Sequence, residues 1–165
     1  MADKINILVT GSDGQLGNSI KKISNQYDMY NFYFANKHTL NISNIDLVEN
    51  FVKNYNIDII INCAAFTNVE ESEIKKELAD LINNTSVDNL AKICDKNHIQ
   101  LIHFSTDFVF DGMKNSPYNE NDIPNPINYY GLTKLNGEKK MMSYNLDKSI
   151  IIRTSWLYSE SKNNF

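Results

Sequence analysis

The stretch that most restricts this chain is a run from Ile5 to Val9, apolar apart from Asn6, that passes directly into Thr10-Gly11-Ser12-Asp13-Gly14-Gln15-Leu16-Gly17. A run of that length reads as a buried strand, and Leu16, Ile20 and Ile23 then recur on one face of a helix over residues 15–24. The glycines between them are spaced G-x-x-G-x-x-G. Gly11 permits the tight turn out of the strand, Gly14 lets the backbone approach a pyrophosphate, and Gly17 lets the helix lie close to a sheet. The first amides of such a helix, at the positive end of its dipole, suit phosphate oxygens. Plain strand-to-helix turns show the same spacing, so the motif points to a dinucleotide only through the strand before it and the helix after it.

Beyond this turn, strand and helix patterns alternate. Tyr30–Ala35 reads as a second strand, Ser43 as the cap of a helix carrying Leu47, Val48, Phe51 and Val52, and residues 57–62 as a strand buried on both faces. One long helix then turns Ile74, Leu78, Leu81, Ile82, Val87, Leu90 and Ile93 inward and leads to a strand over residues 100–105. Such alternation predicts an α/β fold, a doubly wound parallel sheet with right-handed crossovers. Its ligand belongs at the carboxyl ends of the strands: Thr10, Ala35, residues 62–65 and residues 105–107. A length of 165 residues suits one domain, and a net charge of −4 offers no basic surface for nucleic acid. Cys63 and Cys94 form neither a disulfide framework nor a metal pattern, and no residue is assigned to a metal. With no apolar run of membrane-spanning length and no leader-like N-terminus, a cytoplasmic protein without a membrane partner is expected.

Chemistry-bearing residues fall at those strand ends. The second strand runs into Ala35-Asn36-Lys37-His38, which has no carboxylate for ribose hydroxyls. Asn36 and Lys37 could meet a 2′-phosphate, which favours NADP(H) with NAD(H) still acceptable; the alternative is that Lys37 is a solvated loop lysine. Ala64 and Ala65 leave room for a cofactor across the sheet edge, while Cys63 reads as a buried filler. Thr106, at the end of Phe104-Ser105-Thr106-Asp107, can offer a hydrogen bond to a carbonyl oxygen gaining charge. Asp111-Gly112 and Pro117, Pro124 and Pro126 mark a long loop that delivers Tyr130 and Lys134, four residues apart on one helical face. An ammonium there would lower the phenol's pKa from about 10 and let Tyr130 act as a proton donor.

Residues 9–17, 62–67, 105–112 (S-T-D-F-V-F-D-G), 130–134 and 153–158 (R-T-S-W-L-Y) together resemble the extended short-chain dehydrogenase/reductase superfamily, and within it the dTDP-4-dehydrorhamnose reductases. The resemblance implies a Rossmann-like domain over residues 1–165, with a smaller substrate domain lying further along the family's chain. It implies reduction of the 4-keto group of dTDP-4-dehydro-L-rhamnose to dTDP-L-rhamnose, a nucleotide-sugar partner, and allows for a homodimer. Tyr130 corresponds to the proton donor, Lys134 to its partner and ribose contact, Thr106 to the carbonyl hydrogen-bond donor, and Thr106, Asp107 and Trp156 to substrate contacts. Gly14, Gln15 and Leu16 correspond to the pyrophosphate turn and Asn41 and Ile42 to the adenine pocket, while Gly11, Asp13 and Gly17 in the turn and Asn36 and Lys37 after the second strand are cofactor candidates on the residues themselves. Ala64, Ala65, Phe66, Thr67 and Phe104 complete that set. Asn41 and Glu70 stand where the family commonly has aspartate, and Phe66 and Phe108 where rings with a polar group are common. Two alternatives remain: a non-catalytic subunit resembling the regulatory subunit of methionine adenosyltransferase, and a related nucleotide-sugar epimerase or dehydratase.

Overall fold

A computed structural model describes residues 4–159. Five strands, β1 (Ile5–Thr10), β2 (Tyr30–Ala35), β3 (Ile59–Asn62), β4 (Gln100–Thr106) and β5 (Ile150–Thr154), form one parallel sheet in the order β2-β1-β3-β4-β5. The strand order reverses beside β1, which creates the crevice where ligands bind in open α/β sheets. Helices α1 (Gln15–Ile23), α2 (Ile45–Asn54), α3 (Val69–Ile74), α4 (Lys76–Asp80), α5 (Ser86–Asn97) and α6 (Tyr129–Met142) make the connections. Right-handed crossovers put α2, α5 and α6 on one face of the sheet and α1 on the other. The core lies on the first of these faces, where Leu8, Ile60 and Leu101 meet Val48, Val52, Leu90, Cys94 and Met141.

That asymmetry changes the reading of the third strand. It is shorter than its apolar run, and Ile59 and Ile61 are only partly buried while Ile60 is fully enclosed. Their face carries α1 alone over the β1–β2 side, so burial alternates along β3 instead of covering both faces. Ile57 is buried, but in the turn before the strand, where its amide donates to the Val52 carbonyl.

The single long helix is also corrected. It is divided into α3, α4, a π-helical turn over Leu81–Thr85, and α5. The break has a local cause: the buried Asn83 amide bonds both to Phe66 N (2.9 Å) and to Phe66 O (2.9 Å), fastening the turn to the segment after β3. Widened turns of this kind are frequent at functional sites. Ile74 is 82% exposed, and Leu78 and Leu81 are exposed as well, so the inward stripe starts only at Val87, Leu90 and Ile93 in α5. Asn44, not Ser43, caps α2 by accepting from Leu47 N, and Ser43 instead receives a hydrogen bond from Ser86. Leu47 is exposed, and Val48 and Val52 form the buried stripe of that helix.

Candidate active site

The glycine turn is built as its spacing requires. Gly11 has φ +63°, and a Cβ there would lie 2.6 Å from Ala64 N, so the turn and the β3 end touch backbone to backbone. At Gly17 a Cβ would lie 2.6 Å from Gly11 O, which is the close approach of α1 to the turn. Gly14 precedes α1 in an extended conformation, with no side-chain cap and no acidic residue in the helix's first turn. The positive end of α1 is therefore available to an anion.

This turn borders a cavity of about 450 Å³ between the ends of β1, β2 and β3. Asn36, Lys37, Asn41 and Ile42 line it, as do Ala64 and Ala65. Leu78, Leu81 and Ile82 also line it, so side chains that the helical pattern assigns to the core instead form an apolar wall suited to a planar base. The turn is joined to β2 through Ser12 N to Ala35 O at 3.1 Å and Asn36 Nδ2 to Asp13 Oδ2 at 2.8 Å. The end of β2 thus has a carboxylate beside it, supplied by the glycine turn; the sequence around Asn36 contains none.

At the other end of the crevice, α6 starts beside the end of β4. Asn128 caps it by accepting from Gly131 N (2.8 Å), and Gly131 lies against the Phe108 carbonyl, where no side chain fits. Tyr130 in the first turn is 9% exposed, its phenol faces the Thr106 side chain, and its ring meets Phe108 edge-on at 5.7 Å. The Thr106 hydroxyl donates to Asp107 Oδ1 (3.1 Å) and accepts from Phe108 N (3.2 Å). Burial pushes the Tyr130 phenol above its ordinary pKa; the Thr106 side chain opposes this and the Asp107 carboxylate adds to it. This corrects the expected lowering by Lys134.

Lys134 is occupied elsewhere. It is 2% exposed, and Nζ donates to Phe104 O at 2.6 Å and lies 3.4 Å from His103 Nε2. Burial pulls its pKa down to about 8, with the Glu138 carboxylate acting against it. Glu138, itself enclosed, is held by Arg153 through bonds of 3.0 and 2.6 Å. His103 continues the chain inward: its Nδ1 lies 3.1 Å from Asn62 Nδ2, and Asn62 Oδ1 accepts from Thr10 Oγ1 (2.7 Å) and Ala64 N (3.3 Å). The Ala64 amide orients Asn62 so that Nδ2 donates to His103. A neutral imidazole then carries its proton on Nε2, facing Lys134, an arrangement that suits the neutral amine and works against the ammonium. Burial, with the charge of Lys134 adding to it, lowers the His103 pKa well below its ordinary value, in keeping with a neutral ring.

The remaining expected residues are spread along this crevice. Phe104 contributes its carbonyl, Phe66 is fastened by Asn83, and Thr67 is exposed. Asn41 Oδ1 accepts from Ser43 N within its own turn, beside the buried Ile42. Trp156 follows β5 with φ +53° and is 61% exposed; its neighbour Leu157 offers a carbonyl to Gln15 Nε2 at 2.8 Å, which ties this segment to α1. Asn62, Asn83, His103, Glu138 and Arg153 were not singled out by role from the sequence. Only Lys134 and Glu138, four apart on α6, carry a local signal, while the other partners come from distant elements. Among the described residues no group of three or more His, Cys, Asp or Glu side chains could hold a metal ion. Nor is any helix among them long and apolar enough to cross a membrane.

The family described as RmlD substrate binding domain matches residues 5–165. The dTDP-4-dehydrorhamnose reductase of Aggregatibacter actinomycetemcomitans is 37% identical over 159 residues, covering 96% of this chain and 54% of the relative. The dTDP-4-keto-6-deoxy-D-glucose reductase of Streptomyces niveus is 36% identical over 158 residues, again with 96% and 54% covered. Among solved structures, dTDP-4-dehydrorhamnose reductase from Bacillus anthracis in complex with NADP superposes with a TM-score of 0.94 at 37% identity, covering 99% of this chain and 58% of that one. The chain spans about half the length of the curated relatives it matches.

Proposed function

The chain belongs to the RmlD substrate-binding-domain family, and on that premise we propose that it is the cofactor-binding part of an NAD(P)H-dependent reductase of dTDP-4-dehydro-L-rhamnose. The observation that carries this reading is the placement of buried Tyr130, in the first turn of α6, beside Thr106 and Asp107 at the end of β4, in the crevice that the glycine turn opens. The uncapped start of α1 and the apolar wall of Leu78, Leu81 and Ile82 fit a dinucleotide's pyrophosphate and adenine. Lys37, at the rim of the same cavity, favours a 2′-phosphate, so NADP(H) is bound in preference and NAD(H) is accepted. When bound, the nicotinamide supplies a hydride to the carbonyl carbon. Thr106 orients the carbonyl oxygen, and Tyr130 gives it the proton that completes the alcohol. The raised pKa of Tyr130 keeps that proton on the phenol until it is needed. Lys134 holds the Phe104 carbonyl and the floor of the site.

Residues 1–165 act as the cofactor domain, and further chain of the family's full length would close the sugar site and exclude water. The test uses the longer protein carrying Tyr130→Phe. NADPH oxidation with dTDP-4-dehydro-L-rhamnose should fall about 10²-fold or more, while calorimetric binding of NADPH stays unchanged. Near-normal turnover in that variant would reject the role of Tyr130. The 165-residue chain should bind NADPH by calorimetry and show no useful turnover.

A further inference from the structure

We infer that Asp13 is the residue that reads the adenosine ribose, and that its carboxylate limits the NADPH preference conferred by Lys37 so that NADH is used as well. This rests on the dinucleotide reading above and adds the determinant of cofactor choice. The β1–β2 register pairs Thr10 with Ala35, which brings the two following loops side by side. Ser12 N to Ala35 O closes the gap, and Asp13 then lies against Asn36.

The orientation of Asn36 is fixed by its other bonds. Its Oδ1 accepts from His38 N (2.9 Å) and Thr39 N (3.0 Å), so its Nδ2 must face outward, toward Asp13 Oδ2 at 2.8 Å. Among the described residues Asn36 is the one side-chain partner of Asp13. The remaining carboxylate oxygen of this exposed residue is open to solvent at the rim of the cavity that Gly11, Gly14 and Lys37 also border. A carboxylate in that position can accept from both the 2′- and 3′-hydroxyls of NADH and repels the added phosphate of NADPH; an ammonium does the reverse. One cavity therefore holds both determinants, twenty-four residues apart along the chain.

The experiment measures dissociation constants of the 165-residue chain for NADH and NADPH by calorimetric titration, in wild type, Asp13→Asn and Asp13→Ser, each checked for an unchanged thermal midpoint. In both variants the ratio of the NADH to the NADPH constant should rise about tenfold or more, because NADH loses a charged acceptor while NADPH loses a repelling charge. Adding Lys37→Ala to Asp13→Asn should bring the ratio back down. An unchanged ratio with both cofactors still bound, or equal weakening of both, would overturn the role of Asp13 and leave the dinucleotide site standing. Failure of wild type to bind either cofactor would overturn the dinucleotide site and this role with it.

Discussion

Replacing Lys134 with methionine should make the chain more stable at neutral pH while weakening its hold on a dinucleotide. Lys134 is almost wholly buried, and its pKa falls from 10.5 to about 8 because burial disfavours the ammonium. That displacement corresponds to a destabilisation of about 3 kcal/mol whenever the folded chain must keep the ammonium charged. Methionine, of similar length and uncharged, removes this cost but loses the bond to Phe104 O, about 2 kcal/mol because the buried carbonyl is left without that partner. The net gain at pH 7 is about 1 kcal/mol. The pH dependence has a defined sign. Below pH 8 both folded and unfolded chains hold the proton and the cost is complete. Between 8 and 10.5 the unfolded chain keeps a proton that the folded one has released, so the contribution of Lys134 to stability rises with pH. Cys63 and Cys94 run the other way: burial pushes their thiols from 9.0 to about 12, so their contribution is lost as pH climbs above 9. Both cysteines remain in the variant, so subtracting one urea-unfolding curve from the other, by far-ultraviolet circular dichroism at pH 7, 8, 9 and 10, leaves Lys134 alone. The advantage of Lys134→Met should shrink and reverse by pH 10. A variant less stable at pH 7, or a difference independent of pH, would refute the reasoning.

Glu138→Gln should cost about 3 kcal/mol, the lower end of the range for a broken buried ion pair, since Arg153 keeps some access to water; a shift in the urea midpoint worth less than 1 kcal/mol would show that the pair carries little stability. Gly17→Ala should destabilise the chain by about 1–2 kcal/mol despite alanine's better helix propensity, because its Cβ would lie 2.6 Å from Gly11 O. The same substitution should weaken NADPH binding in calorimetry, and an alanine variant as stable as wild type would mean that α1 can shift without cost.

Local patterns carry a long way in this protein because they depend on neighbours in the chain. The order of strands and helices and the glycine turn at Gly11 and Gly17 follow from periodicity and motif. Legibility fails where a helical pattern does not belong to one helix. Ile74, Leu78 and Leu81 have helical spacing, yet they fall in α3, α4 and the π-helical turn, separate pieces that leave all three exposed.

Residues 5–24 alone determine that a strand must turn sharply into a helix whose positive end is uncapped, since glycine geometry and apolar spacing require nothing from elsewhere. What that turn can recognise is decided by the sheet. Only the β1–β2 register sets Asp13 against Asn36, and only the packing of α6 on β4 buries Lys134 against His103, thirty-one residues away, with its charge disfavoured. Side-chain pattern is written locally, but proximity across a parallel sheet, and the loss of water that changes a group's charge, exist only once distant strands have been brought together.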